Sequence, residues 1–205
     1  MSLSQVIYEN SDCQINHLVV GPLANNVYIV RCKETGESLL IDAADEHEKL
    51  LELCRTLKVK QVVETHGHHD HIQAVPHLRE AGIEVAISKE DSSMLSSYDL
   101  IIQDEAIYKC GSLEIQAIHT PGHTLGSVCF HLIGTQILFS GDTLFPGGPG
   151  NTSFPGGDFQ TIINSITTRI FQSYPSDTLV LPGHGKSTSL SEEIPHLEEW
   201  IERGW

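Results

Sequence analysis

Four short apolar segments of this chain end in the same manner, on a glycine-flanked residue of a type that binds metals. Residues 59–64 run into Thr65-His66-Gly67-His68-His69-Asp70-His71, and 113–119 into Thr120-Pro121-Gly122-His123-Thr124. Residues 136–140 run into Gly141-Asp142-Thr143, and 178–181 into Pro182-Gly183-His184-Gly185. Each segment reads as a strand, and a strand end holds the loop that follows it on a rigid element. A sheet presents such ends along one edge, and glycine lets backbone approach closely there. The fold must therefore bring four strand ends to a common cleft. Taken singly the signals are weak, because a lone Gly-Asp is usually a turn and a lone histidine is usually packed or solvated. The spacing His-x-His-x-Asp-His is stronger. Even with 12 histidines in the chain, it should arise by accident in only about three of a thousand such sequences. Imidazole and carboxylate together suit zinc and its first-row neighbours.

The rest of the pattern places these segments. Residues 27–31 and 38–43 flank a turn at Thr35-Gly36 and read as a hairpin. Leu50, Leu53, Cys54 and Leu57 mark a helix over 46–57. A second helix is expected over 71–81, ended by Gly82, before a strand at 84–88. The stretch 89–110 reads as a short helix plus loop. Three strands follow at 113–119, 127–133 and 136–140, then a Gly- and Pro-rich loop over 145–158. Ile162, Ile163, Ile166 and Ile170 stripe a helix over 159–171, and a last strand at 178–181 precedes a terminal helix at 192–203. Strands and helices alternate in two halves, each opening with a hairpin or meander. That order predicts an α/β fold of two packed sheets with helices outside, a four-layer αββα sandwich. No linker divides the halves, so residues 1–205 are expected to form one domain.

Composition narrows the function classes. A formal charge of −15 with only 12 basic residues and no basic run disfavours a nucleic-acid surface. No run approaches the roughly 18 apolar residues of a membrane span. The first ten residues are polar and lack a signal-peptide core. Cys13, Cys32, Cys54, Cys110 and Cys129 are scattered, with no Cys-x-x-Cys pair, and are expected to be reduced and buried. These features together predict a cytoplasmic chain. Of Trp200 and Trp205, the expectation is packing on the core; oligomeric state is not readable.

The ordered set His66-x-His68-x-Asp70-His71, His123, Asp142 and His184 resembles the metallo-β-lactamase superfamily, and the likeness spans nearly the whole chain. Asn25-Asn26-Val27-Tyr28 and Leu39-Leu40-Ile41-Asp42 resemble that fold's opening strands. The resemblance implies two divalent metal ions, zinc in the first instance, with iron or manganese also suited to such ligands. It implies that His66, His68 and His123 hold one ion, that Asp70, His71 and His184 hold the other, and that Asp142 bridges them. Asp70 would also orient or deprotonate the attacking water. Asp42 would support the histidine loop without ligating, and His69 would point away. Two such ions roughly 3.5–4 Å apart can share a water and lower its pKa toward neutrality, giving a bridging hydroxide nucleophile.

Within the superfamily, His68 stands where flavo-diiron members have a carboxylate, and Asp142 where many β-lactamases have a cysteine or no bridging residue. Nuclease members favour basic surfaces. The runs around Thr65, His123, Asp142 and His184 resemble the glyoxalase II group, which hydrolyses small acylated thiols such as hydroxyacylglutathione. Two departures stand out. The longer glyoxalase II enzymes continue into a helical domain with basic contacts to glutathione, and this chain is expected to carry no such domain. Asn151 lies near where they carry a lysine for the glycine carboxylate. The expected function is therefore thioester hydrolysis with an open thiol carrier. The rival is a persulfide dioxygenase, which resembles this ligand pattern but uses one iron on the equivalents of His66, His123 and Asp142. A metal-binding protein without catalysis is the third reading.

Overall fold

The computed structural model describes residues 4–204. The chain opens with an antiparallel meander of β1 (Gln5–Glu9), β2 (Cys13–Val20), β3 (Asn25–Cys32) and β4 (Ser38–Ile41). Helix α1 (His47–Leu57) crosses to β5 (Val59–Val63), which pairs parallel with β4. Two short helices, α2 (His69–Ile72) and α3 (Val75–Glu80), lead to β6 (Glu84–Ser88) and then β7 (Leu100–Ile102), both parallel to their neighbours. These strands form one sheet in sequence order. The second sheet begins with the meander β8 (Ile107–Cys110), β9 (Leu113–His119), β10 (Val128–Leu132) and β11 (Ile137–Gly141). A two-stranded ribbon, β12 (Leu144–Phe145) and β13 (Gly148–Pro149), and helix α4 (Phe159–Ser165) intervene before β14 (Leu179–Pro182), which is parallel to β11. Strand β15 (Thr188–Ser189) and helices α5 (Leu190–Glu193) and α6 (Leu197–Arg203) complete the described chain.

Strand alternation builds the layers. In β3, Val27 and Ile29 face α1 and α3, whereas Tyr28, Val30 and Cys32 face the opposite way into the space between the sheets. In β11, Ile137 and Phe139 meet them there, while Leu138 turns outward onto Ile162, Ile166 and Trp200. Central strands such as β4 are buried on both faces and so read as continuous apolar runs without visible alternation. Three apolar clusters between four layers give the αββα sandwich that the order of elements predicts. The five cysteines are buried and unpaired. Trp200 packs in the outer cluster beside Phe171, and Trp205 lies outside the described residues. Among the described residues, no helix is long and apolar enough to cross a membrane.

Several boundaries depart from expectation for identifiable reasons. The helix expected over 71–81 is two helices, because a helix begun at His69 meets Pro76, whose ring would strike the Ile72 carbonyl. The N–H of Ala74 turns instead to the Ala43 carbonyl, 2.9 Å away. His69 to His71 therefore lie on a helical turn and not on a loop. Pro195 breaks the terminal helix in the same way, separating α5 from α6. The helix over 159–171 holds, but beyond Ser165 it widens, with Gln172 N–H reaching the Thr167 carbonyl. Strands β1 and β2 were not expected at all, since Asn16 and His17 interrupt the apolar pattern of β2. The stretch 89–110 holds a single turn at Ser92–Met94 and the strands β7 and β8.

Candidate metal centre

The ends of β5, β9, β11 and β14 and the start of β3 meet at one edge of the sandwich. Three overlapping groups form there, each with donor atoms within 4.8 Å of one another: His66, His68 and His123; His66, His71 and Asp142; and Asp70, His71 and His184. All seven residues singled out in the sequence are thus brought together. His69, exposed on the far side of α2, is not among them. The outer two groups each draw residues from both sheets. The sheets are also tied here by a bond of 2.8 Å from Val128 N–H to the Thr65 carbonyl.

Ring orientation is fixed from behind. His66 Nδ1 lies 3.0 Å from Thr65 Oγ1, which donates to Asp42 Oδ2 at 2.9 Å. His71 Nδ1 lies 2.8 Å from the same Asp42 oxygen, while Asp42 Oδ1 accepts from Thr65 N–H at 2.7 Å. His123 Nδ1 donates to the Asn151 carbonyl at 2.7 Å and His184 Nδ1 to the Leu23 carbonyl at 3.1 Å. These four histidines thereby turn Nε2 inward, the arrangement expected when a carboxylate or carbonyl sets the tautomer of a ligating ring. His68 alone turns Nδ1 inward, 2.9 Å from His123 Nε2 and 3.1 Å from His66 Nε2. Asp42 supports the loop as expected of it.

Asp142 stands between the outer groups. Its Oδ2 lies 3.5 Å from His123 Nε2 and 3.7 Å from His184 Nε2, and its Oδ1 lies 3.5 Å from His71 Nε2. Asp70 Oδ2 lies 3.3 Å from His184 Nε2 and accepts from Asn25 Nδ2 at 2.8 Å. Glycine makes the close approach of β14 to β11 feasible. A Cβ at Gly183 would stand 2.4 Å from Asp142 Oδ1 and 2.8 Å from His71 Cε1.

The residues fit divalent metal on two counts. Asp142 Oδ1 is buried without a hydrogen-bond partner, which is costly unless something else fills that role. The inward nitrogens of the first group stand 2.9 and 3.1 Å apart, close to the edge of about 3.3 Å that a tetrahedron of 2.0–2.1 Å zinc–nitrogen bonds requires. Electrostatics separates the two outer groups. Burial, with His71, His123 and His68 close by, holds His66 well below the usual histidine range; burial and His123 also lower His68. Both rings are neutral and free to ligate. Burial also opposes charge on His71, but Asp142 and Asp42 outweigh it and raise its pKa well above the ordinary value. His184 is raised too, burial being outweighed by Asp70 and Asp142. Asp70 is lowered despite burial, by His184, His71 and Asn25.

Two residues escaped the sequence reading. Asp91, fully buried, accepts from Gly67 N–H at 2.9 Å, Thr124 Oγ1 at 2.7 Å and Gly126 N–H at 2.9 Å. It therefore ties the His66–His68 loop to the His123 loop, and nothing in its local sequence marks it. Glu64, also fully buried, places both carboxylate oxygens 3.2 Å from Ala43 N–H. Burial and then Asp42 raise its pKa well above the usual range.

The model of the metallo-β-lactamase superfamily matches residues 20–184, and the chain belongs to that superfamily. The hydroxyacylglutathione hydrolase GloC of Haemophilus influenzae is 31% identical over 176 residues, covering 75% of this chain and 82% of that protein. Among solved structures, ETHE1 from Myxococcus xanthus superposes with a TM-score of 0.80 at 28% identity, covering 92% of this chain and 88% of its own. TTHA1623 in a di-iron-bound form superposes with a TM-score of 0.77 at 32% identity, covering 87% and 96% respectively. The fold is thus shared with these relatives, and this chain carries a His/Asp cluster able to bind metal ions.

Proposed function

We propose that this chain is a metal-dependent hydrolase of small thioesters, of the glyoxalase II type. The observation that carries the reading is Asp142, whose Oδ2 stands within 3.7 Å of a histidine of each outer group and whose Oδ1, facing His71, is buried without a hydrogen-bond partner. In this reading His66, His68 and His123 hold one ion, Asp70, His71 and His184 hold the second, and Asp142 joins them. Zinc suits the donors, and so do iron and manganese. Bound ions would supply a water of lowered pKa and polarisation of the thioester carbonyl. The chain's own groups do the rest. Asp70, held anionic and oriented by Asn25, orients or deprotonates the attacking water. The Thr65–Asp42 pair fixes His66 and His71 in register. A separate nucleophile is not needed, and the buried cysteines lie outside the cluster. Similarity to a named hydroxyacylglutathione hydrolase supports the thioester assignment.

A second, oxidative reading is a persulfide dioxygenase on one iron, which the resemblance places on His66, His123 and Asp142. What favours it is that the His123 and Asp142 donors stand 3.5 Å apart, with His66 bordering both. One experiment separates the two. Metal analysis of the purified protein is paired with hydrolysis of lactoylglutathione and oxygen uptake on glutathione persulfide. Two ions with hydrolysis are expected. One iron with oxygen uptake overturns the hydrolase reading, and no oxygen uptake together with no hydrolysis of either lactoylglutathione or a thioester of a neutral thiol overturns both.

A further inference from the structure

The three most exposed large apolar side chains among the described residues are Leu23 at 62%, Leu125 at 60% and Phe154 at 51%. They lie on three different loops, and each borders a histidine of the cluster. The Leu23 carbonyl receives His184 Nδ1. Leu125 follows His123 by two residues and packs over Gly156. The Phe154 ring stands edge-on to His68, with centroids 5.5 Å apart. Met94, also exposed, lays its sulfur beside Gly67, between His66 and His68. Single exposed apolar residues are ordinary, but four around one polar cluster mark a binding surface.

The rim is held in place. Asp91 anchors the loops on either side of Leu125, its carbonyl accepts from Met94 N–H at 2.9 Å, and Asp158 N–H bonds the Gly122 carbonyl at 2.8 Å behind Phe154. Its charge is also informative. The chain carries −15 overall, and the lysines next in sequence to the site, Lys89 and Lys186, line other cavities, one with His119 and Gln103, the other with His17 and Tyr28. Asn151 offers no cation either. Its side chain turns back to accept from Ser153 N–H and Oγ.

We infer that Phe154, Leu125, Met94 and Leu23 form a subsite for an extended apolar group on the thioester, in preference to an anionic peptide thiol. The inference rests on the thioester reading above. In the reaction, water oxygen bonds to the acyl carbon, the carbon–sulfur bond breaks, and the departing thiolate takes up a proton. The apolar group lies beside the bond that breaks and leaves with one product.

The test uses metal-loaded protein and two matched series on one neutral thiol. Non-hydrolysable S-alkyl thioethers from methyl to hexyl are titrated by calorimetry, and acyl thioesters from acetyl to hexanoyl are assayed for turnover. S-hexylglutathione serves as the charged comparator. A fully buried methylene is worth about fourfold in affinity, so a rim open to solvent should give about two- to fourfold per added carbon. The neutral carrier should bind more tightly than the glutathione one at equal alkyl length. In Phe154→Ala/Leu125→Ser the slope with chain length should flatten while metal content stays unchanged, and Leu23→Ser gives an independent check. Flat affinity across the thioethers, or an unchanged slope in the variants, overturns the subsite. A rising slope without turnover of any thioester upholds the subsite and removes the hydrolase reading. Turnover with flat affinity does the reverse.

Discussion

The two halves of the metal cluster are built from different materials. His66, His68 and His123 form a wholly imidazole group, and burial keeps His66 and His68 uncharged. Asp70, His71 and His184 mix a carboxylate with two imidazoles whose pKa values neighbouring carboxylates raise. An ion entering the first half displaces no proton from His66 or His68. An ion entering the second competes with protons on histidines of raised pKa. The halves are therefore not equivalent sites duplicated by chance, and the proposed ions should differ in how they are held.

The largest effect should come from the residue both halves share. Asp142→Ala should abolish turnover and lower metal content with the circular dichroism spectrum preserved; wild-type turnover would break the dinuclear account. Next comes the asymmetry itself. Dialysed at mildly acidic pH, where protons compete most strongly in the second half, His68→Ala should hold no metal, whereas His184→Ala should retain one equivalent by plasma emission analysis. Equal losses from both variants would erase the distinction drawn above. Acid should act on the same asymmetry. Because the metal-free pKa values of His71 and His184 are raised, protons compete there to higher pH, and falling pH favours the protonated, metal-free form. Equilibrium dialysis should find two equivalents at mildly alkaline pH and one as the pH falls below neutrality, with the first half retained. Smaller is the effect of loosening the support. Asp91→Ala removes an acceptor from Gly67, Thr124 and Gly126, which should reduce metal affinity in a chelator competition by about 10–100-fold. Urea unfolding of the same variant should show a loss of about 3 kcal/mol, since buried donors are left unpaired.

The seven clustered residues were legible in the sequence because metal chemistry restricts residue type and close approach demands glycine, two constraints that leave local traces. The supporting place of Asp42 came from the family resemblance and not from its own neighbours in sequence. Asp91 left no such trace. Its role consists of three hydrogen bonds to residues 24 to 35 positions away, and an aspartate before two serines reads as an ordinary turn. The Asn25 bond to Asp70 is equally non-local, spanning 45 positions. At the level of the fold, layers followed from the alternation of strands and helices, but helix lengths did not. Pro76 and Pro195 cut helices whose apolar stripes continue past them, because a stripe records only which face is buried. Strands β1 and β2 escaped because pairing, of β2 with β3 and of β1 with β2, is worth more to them than an uninterrupted apolar pattern.

Each outer group draws on both sheets, the first taking His123 and the second taking His184 to complete what the loop after β5 begins. Any ion held there is also a rivet across the seam of the sandwich. Prising the sheets apart then means breaking coordination at one edge before the apolar interior between Phe139 and Tyr28 is wetted. Ligand held by the folded state alone raises stability by about 2.7 kcal/mol when free metal stands at a hundred times its dissociation constant. The cell's supply of metal would thereby set how firmly the two halves of this protein stay closed, as well as whether it can act.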